Sequence, residues 1–142
     1  MSRVLAVDYG ERRIGLAISD PSATIAQPLP TLVRRAGKRP PIANITELIS
    51  ANEVVEVVVG LPLPLSGEEN EWTQAVRDFA EKLATRSGIP VHLFDERMTS
   101  VQAERAVREL GLKKSEREQK ERIDSAAAII LLQQYLNQRK NT

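Results

Sequence analysis

The chain has 142 residues, of which 42% are hydrophobic and 27% charged, as is usual for one globular domain. It contains no cysteine, so disulfides, thiolate metal sites and thiol nucleophiles are excluded. A single histidine, His92, excludes zinc sites of the HExxH type and any metal cage built on two histidines.

The charges nearly balance, and a net charge of +1 does not by itself indicate a polyanionic partner. Basic residues nevertheless concentrate in 34–39 and 113–122, and acidic residues in 53–71. No apolar run reaches the roughly 18 residues that a membrane span needs, and a strand-like segment stands where a signal peptide would begin. We therefore expect a soluble, cytoplasmic protein with no membrane partner.

The first third of the chain predicts three strands. Short apolar runs bounded by turn residues indicate strands at Val4–Val7 and Arg12–Ser19, joined by a hairpin at 9–11. Pro28 and Pro30 frame a third extended segment that ends at Val33, and residues 34–41 are predicted to form a loop.

From residue 42 onward, helices alternate with strands. The apolar spacing predicts a helix, a strand, a helix, a strand and two final helices, at Ile42–Ala51, Val54–Val59, Trp72–Leu83, Val91–Phe94, between Ser100 and Gly111, and at Ile123–Leu136. This order predicts a mixed sheet with helices packed on its faces. We expect one domain over residues 1–138, followed by a polar tail at 139–142.

Three acidic residues are embedded in apolar sequence, where acids are uncommon. Asp8 ends the first strand, Glu96 follows the fifth, and Asp124 opens the last helix on its apolar face. Strand ends in open α/β sheets gather ligands. Each acid also has a structural alternative: Asp8 as a turn residue, Glu96 in a surface pair with Arg97 or Arg105, and Asp124 as a helix N-cap.

Carboxylates that share a poorly solvated site repel one another unless a cation compensates. Without histidine or thiolate, the ligands would all be oxygens, which suits Mg²⁺ or Mn²⁺. Two such ions about 4 Å apart can hold the attacking and leaving oxygens of a phosphodiester during in-line displacement.

Four sequence blocks that contain these acids resemble one known family in order and spacing. They are Val7–Gly10 with Arg13–Ala17, Val59–Pro62, Asp95–Ser100 and Ile123–Ala128. From about Val4 to Leu136 the chain resembles the YqgF (RuvX-type) family, proposed pre-16S ribosomal RNA nucleases that are also similar to Holliday junction resolvases.

The resemblance implies an α/β, RNase H-like fold with a five-stranded mixed sheet, its first three strands antiparallel, and helices on both faces. It also implies a metal-dependent nuclease in which Asp8, Glu96 and Asp124 are the catalytic residues and the ligands of two Mg²⁺ or Mn²⁺ ions. The implied substrate is the 5′ end of pre-16S ribosomal RNA, with pre-ribosomal particles as partners. Branched DNA is the alternative substrate.

Two departures from the family's pattern concern the site. Related RuvC resolvases have another carboxylate three residues after the helix aspartate, where this chain has Ala127. The second ion is therefore expected to bind weakly until a substrate phosphate adds oxygens. The loop at 63–67 lacks the asparagine and aspartate that relatives often have, so no substrate contact from those residue types is expected.

A further group of residues are candidates for contact with nucleic acid, because of positive charge or position beside the acids: Tyr9, Arg12, Arg13, Arg97, Lys113, Lys114, Arg117, Lys120 and Arg122. The alternative for the first two arginines is surface charge, and for Arg97 a pair with Asp95 or Glu96. Segment 113–122 is interpreted as a mobile flap that follows phosphates, with a solvated charged loop as the alternative.

Two functions from other classes are also compatible with the sequence. A strand that ends in Asp8-Tyr9-Gly10 before a hairpin also resembles the first phosphate loop of actin-like kinases, although those enzymes need two such domains. The other hypothesis is a non-catalytic RNA-binding factor of ribosome assembly. The sequence leaves open whether the protein is a monomer or a homodimer.

Overall fold

The structure is a computed structural model that describes the backbone of residues 2–34, 39–64, 66–98 and 117–140; side chains at 98, 117–125 and 140 lie outside the described part. Its elements in chain order are β1 (Arg3–Tyr9), β2 (Arg13–Ser19), β3 (Ala26–Val33), α1 (Ile42–Ala51), β4 (Val54–Leu61), α2 (Glu71–Ser87), β5 (Val91–Asp95), a 3₁₀ turn (Glu96–Met98) and α3 (Arg117–Lys140). The helix predicted between Ser100 and Gly111 falls outside the described residues.

The five strands form one mixed sheet in the order β3-β2-β1-β4-β5. β1 pairs antiparallel with β2 and β2 with β3, whereas β4 runs parallel to both β1 and β5. The predicted five-stranded sheet with three antiparallel leading strands is therefore confirmed. Pro28 and Pro30 lie in β3 at the sheet edge, where a strand needs ladder hydrogen bonds on one side only.

A tight hairpin joins β1 to β2 after the first predicted acid. The Gly10 amide donates to the Arg13 carbonyl at 3.0 Å, and Tyr9 pairs with Ile14. A Cβ on Gly10 would lie 2.5 Å from that carbonyl oxygen, so this close approach requires glycine. Asp8 precedes the turn and pairs with Gly15, which makes it a strand residue and not a turn residue.

The two faces of the sheet pack against different helices, because side chains alternate along each strand. Leu5, Val7 and Tyr9 of β1 join the core cluster that includes residues of α1 and α2. Val4 and Ala6 join the second cluster, together with residues of α3. Both faces of β1 are thus buried, which explains its continuous apolar run.

Helix α3 is longer than the sequence analysis predicts. It begins at Arg117 instead of Ile123 and continues to Lys140 instead of ending at Leu136. The prediction was wrong because it followed apolar residues alone, whereas the added segments are rich in Arg, Glu, Gln and Lys, which favour helices. Among the described residues, no helix is both long and apolar enough to cross a membrane.

The C-terminal half of α3 is fixed to the start of the strands by side-chain hydrogen bonds. The Tyr135 hydroxyl donates to the Glu56 carboxylate at 2.9 Å, and Arg139 also contacts Glu56. The Gln133 amide accepts from the backbone of Ala26 and donates to that of Thr24. Since these partners lie near the starts of β4 and β3, α3 runs antiparallel to β4.

Replacement of Tyr135 by Phe is expected to lower the free energy of unfolding by about 1 kcal/mol at pH 7, because the hydrogen bond to Glu56 is lost. Burial, and then the bond to Glu56, raises the pKa of Tyr135 to about 12. The folded pKa exceeds the unfolded value of about 10, so this contribution is complete below about pH 10 and is lost as the pH rises toward 12.

Urea unfolding of the wild-type and Tyr135→Phe proteins between pH 7 and 12 measures this contribution. The stability difference between them should fall above about pH 10. Equal stability at pH 7, or a difference that does not change with pH, would contradict the role given to Tyr135.

Candidate active site

Two of the three predicted acids, Asp8 and Glu96, lie where parallel strands end. Val7 of β1 pairs with Val59 of β4, and Gly60 of β4 pairs with Phe94 of β5. One residue beyond the first pair, Asp8 and Gly60 therefore lie side by side. These positions all belong to the carboxyl-terminal edge of the sheet, where α/β proteins commonly bind ligands.

Asp8 is a buried acid in the centre of the sheet. Its exposed fraction is 1%, and its strand has a hydrogen-bonded neighbour on each side. By alternation along β1, its side chain shares a face with Val4 and Ala6, which pack against α3. The backbone that carries this carboxylate is therefore held on both sides.

Glu96 is also buried, with an exposed fraction of 0%, and it opens the 3₁₀ turn directly after β5. Arg97 does not pair with it in the surface manner that the sequence left open. The Arg97 guanidinium instead contacts both carboxylate oxygens of Asp95, at 2.7 to 3.1 Å. Arg105, the other alternative partner, lies outside the described residues.

Gly60 provides the space that Glu96 occupies. A Cβ on Gly60 would lie 2.9 Å from the Glu96 Cδ and closer still to Oε1. That Cβ would point to the same face as Val58, which packs in the cluster with Ala6 and α3. The Glu96 carboxylate therefore lies over β4 on the face that Asp8 also occupies.

The role of Gly60 is not evident from its position in the sequence. A glycine inside a valine-rich strand is the signal that could have identified it, since such a glycine often marks a close approach of another group. Which side chain approaches Gly60 cannot be read from its neighbours in sequence, because this depends on the order of the strands in the sheet.

The donor set fits a hard divalent cation. Both described acids offer only oxygen ligands in a buried setting, as Mg²⁺ and Mn²⁺ prefer. Among the described side chains there is no group of three His, Cys, Asp or Glu residues placed to hold a metal. The third predicted acid, Asp124, lies in α3, but its side chain is outside the described part.

Tyr9 was predicted to be a possible nucleotide contact, and the structure places it in the core. Its ring is 3% exposed and stacks on Phe79 at 4.0 Å and Trp72 at 5.5 Å between centroids. Burial raises the pKa of its hydroxyl, although Arg34 opposes this shift. A ring packed in this way has no free face for a base, so the expectation was wrong.

The arginines after Asp8 have different surroundings. Arg12 is exposed in the hairpin turn, and Arg13 is partly buried at the start of β2. Arg34, the first residue of the basic cluster at 34–39, donates its amide to the Arg12 carbonyl at 2.7 Å. The Arg34 guanidinium lies 4.7 Å from the Tyr9 ring centroid. Arg34 thus belongs to the same edge of the sheet as Asp8.

The basic segment before Asp124 is only partly described. The backbones of Arg117, Lys120 and Arg122 form the beginning of α3, so this part is helical and not a loop. Their side chains lie outside the described part, and Lys113 and Lys114 lie outside it altogether.

The loop between β4 and α2 is tied to the helix through Thr73. Its backbone amide donates to the Asn70 side chain at 2.8 Å, which caps α2, and its hydroxyl donates to the Pro62 carbonyl at 3.1 Å. Thr73 is fully buried. The first residues of the loop after β4 are therefore held in place against α2.

Solved structures of RuvC from Thermus thermophilus share this fold. RuvC in complex with a Holliday junction substrate superposes with a TM-score of 0.59 at 20% identity, over 100% of this chain and 98% of that chain. A second T. thermophilus RuvC structure gives a TM-score of 0.55 at 18% identity, over 99% and 97%. The fold of this chain is therefore that of the RNase H-like α/β proteins. Two buried acids lie at the edge of its sheet.

Sequence comparison identifies the family. The RuvX family model, described as Holliday junction resolvase, matches residues 2–138. Proteins named "Putative pre-16S rRNA nuclease" include one from Koribacter versatilis, 45% identical over 96% of this chain and 88% of its own, and one from Chloroflexus aggregans, 47% identical over 97% and 95%. The chain belongs to the RuvX family and is a nuclease.

The ion pair between Arg97 and Asp95 can be tested through the pKa of Asp95. Hydrogen bonds from Arg97 hold the pKa of Asp95 below its ordinary value. In Arg97→Ala, the pKa of Asp95 should rise toward about 3.9, as followed by carboxyl ¹³C NMR. Arg77→Ala is the matched control, because it removes the partner that lowers the pKa of Glu69. An unchanged pKa of Asp95 in Arg97→Ala, or an equal shift in the control, would contradict this pairing.

Proposed function

We propose that this protein is a metal-dependent phosphodiester hydrolase in which Asp8, Glu96 and Asp124 hold Mg²⁺ or Mn²⁺. The observation that carries the proposal is the burial of the Glu96 carboxylate over Gly60, on the face that Asp8 shares. Burying two like charges side by side is unfavourable, and a divalent cation relieves this cost while using their oxygens as ligands.

The direction of α3 supports Asp124 as the third ligand. Tyr135 is level with Glu56 through their hydrogen bond, and α3 runs antiparallel to β4. Eleven residues of helix back from Tyr135 span about 16 Å, and four residues of strand forward from Glu56 reach Gly60 in about 13 Å. Asp124 is thus expected near the edge that carries Asp8.

The helical period supports the same assignment. Asp124 is three and four residues before Ala127 and Ala128, both fully buried against the sheet, so all three positions share one face of α3. Ala127 occupies the position at which related resolvases have a carboxylate. With its methyl group packed in the core, it offers no ligand, so a second ion would depend on oxygens from the substrate.

The residues of this chain would position the ions and keep bulk water out of the site. Asp8 is held in a strand paired on both sides, and Glu96 is held between β5 and the surface of β4, so neither carboxylate must reorganise greatly during the reaction. Ions bound to them would activate a water for in-line attack and neutralise charge on the leaving oxygen. Arg12 and Arg13, beside Asp8 in sequence, are proposed to contact backbone phosphates.

The substrate we favour is the 5′ end of pre-16S ribosomal RNA within pre-ribosomal particles, in the cytoplasm. Two relatives, 45% and 47% identical over nearly the whole chain, support this choice because both are named as pre-16S rRNA nucleases. Branched DNA is the second candidate, supported by the description of the RuvX family model and by the RuvC complex that shares the fold. Contacts to phosphates would make binding of either substrate weaken with salt.

The proposal predicts that Asp8→Asn abolishes cleavage and leaves nucleic-acid affinity nearly intact. The substitution removes a ligand charge but keeps the size of the side chain, so the ion that would activate the attacking water is no longer held. The assay uses end-labelled RNA that spans the 5′ precursor of 16S ribosomal RNA and, separately, a four-way DNA junction. Reactions contain Mg²⁺, Mn²⁺ or EDTA.

Asp78→Asn is the matched control, since Asp78 is an exposed residue of α2. It should cleave as the wild-type protein does. Full cleavage by Asp8→Asn, or cleavage in EDTA, would refute the proposal. Tight binding of RNA with no cleavage by any form, including in the presence of pre-ribosomal particles, would favour a non-catalytic assembly factor, and hydrolysis of ATP would favour the phosphotransferase hypothesis.

A further inference from the structure

The order of the strands creates a geometric problem for the proposed site. Asp8 lies on β1 and Glu96 follows β5, and β4 lies between these two strands. Neighbouring strands are about 4.8 Å apart, so about 10 Å separates β1 from β5. For both carboxylates to reach one ion, a side chain must cross the surface of β4.

Gly60 is the residue at the point of crossing. The Glu96 Cγ would lie 3.3 Å, and Cδ 2.9 Å, from a Cβ at this position. Both distances are shorter than ordinary contacts between carbon atoms, so even the methyl group of alanine would displace the carboxylate. On the same face of β4, the preceding side chain in the strand is that of Val58, which is bulky, so the opening lies at the end of the strand.

We propose that Gly60 is a positioning residue for the metal site: its missing side chain lets the Glu96 carboxylate cross β4 and face Asp8. This inference rests on the proposed function, because it gives Gly60 a role toward the ion that the two acids would hold. The residue touches neither ion nor substrate and acts through Glu96 alone. The opening at Gly60 also fixes the position of the Glu96 carboxylate, because the carboxylate rests on the backbone of β4.

Direct measurement of metal binding tests this role. Gly60→Ala is expected to weaken binding of Mn²⁺ by tenfold or more, as is typical when a group that orients a ligand is changed. The readout is the dissociation constant of Mn²⁺ for the full chain, from electron paramagnetic resonance of the free ion. Cleavage measured in parallel should show a lower kcat with little change in KM, because phosphate contacts elsewhere are preserved.

Val57→Ala is the control for stability. Val57 is fully buried in the same strand, but it faces α1 and α2 on the other side of the sheet. Its truncation is expected to lower the melting temperature and to leave Mn²⁺ affinity within twofold of wild type, with the temperature kept well below melting. A loss of affinity in Gly60→Ala alone then cannot be attributed to lower stability.

A double-substitution cycle separates positioning from general damage. In the wild-type background, Glu96→Asp should weaken Mn²⁺ binding because the shorter acid does not reach across β4. In the Gly60→Ala background, the same change should weaken binding little further, because the added methyl group has already displaced the carboxylate from the ion. The two effects are thus expected to be non-multiplicative.

The outcomes distinguish the two proposals. Wild-type affinity in Gly60→Ala, or effects of the two substitutions that simply multiply, would overturn the positioning role while leaving the metal-dependent nuclease intact. Failure of the wild-type protein to bind Mn²⁺ would overturn the proposed function and this inference with it. Weaker binding in Gly60→Ala with little further loss in the double variant would support both.

Discussion

The burial of two carboxylates on one face of the sheet is the constraint on which the site depends. Asp8 and Glu96 are almost fully removed from solvent, and a charge leaves water at a large cost unless other charges or hydrogen bonds compensate. Their strands are separated by β4, and the Glu96 carboxylate lies over Gly60, which has no side chain. In the proposed site, sheet order, the glycine and the acids therefore form one arrangement in which each part requires the others.

The two faces of the sheet differ in the size of the side chains that pack on them. The face under α1 and α2 is filled with large side chains, including the Tyr9 and Phe79 rings, and stabilises the fold. The face under α3 carries small residues at the contact, among them Ala6 on β1 and Ala127 and Ala128 on the helix. Small residues let a helix lie close to a sheet. Asp8 and Glu96 lie on this second face, which residues of α3 cover.

The sequence predicted the strands and the buried acids well, because apolar runs and an acid inside them are local signals. The strand order came only from the family resemblance, since periodicity does not determine which strands are neighbours. For the same reason the role of Gly60 was missed, as it depends on Glu96 arriving from β5. Tyr9 was misjudged because its neighbours in space, Trp72 and Phe79, are distant in sequence. The early start of α3 at Arg117 was missed because charged residues form helices without an apolar pattern.

The most direct test of the account is a crystal structure of the protein grown with Mn²⁺ and measured at the manganese absorption edge. The account predicts an anomalous peak within about 2.2 Å of carboxylate oxygens from both Asp8 and Glu96, at the edge formed by β1, β4 and β5. A peak coordinated by only one of the two acids, or manganese found only elsewhere on the protein, would contradict the claim that these acids are buried together in order to hold a metal ion.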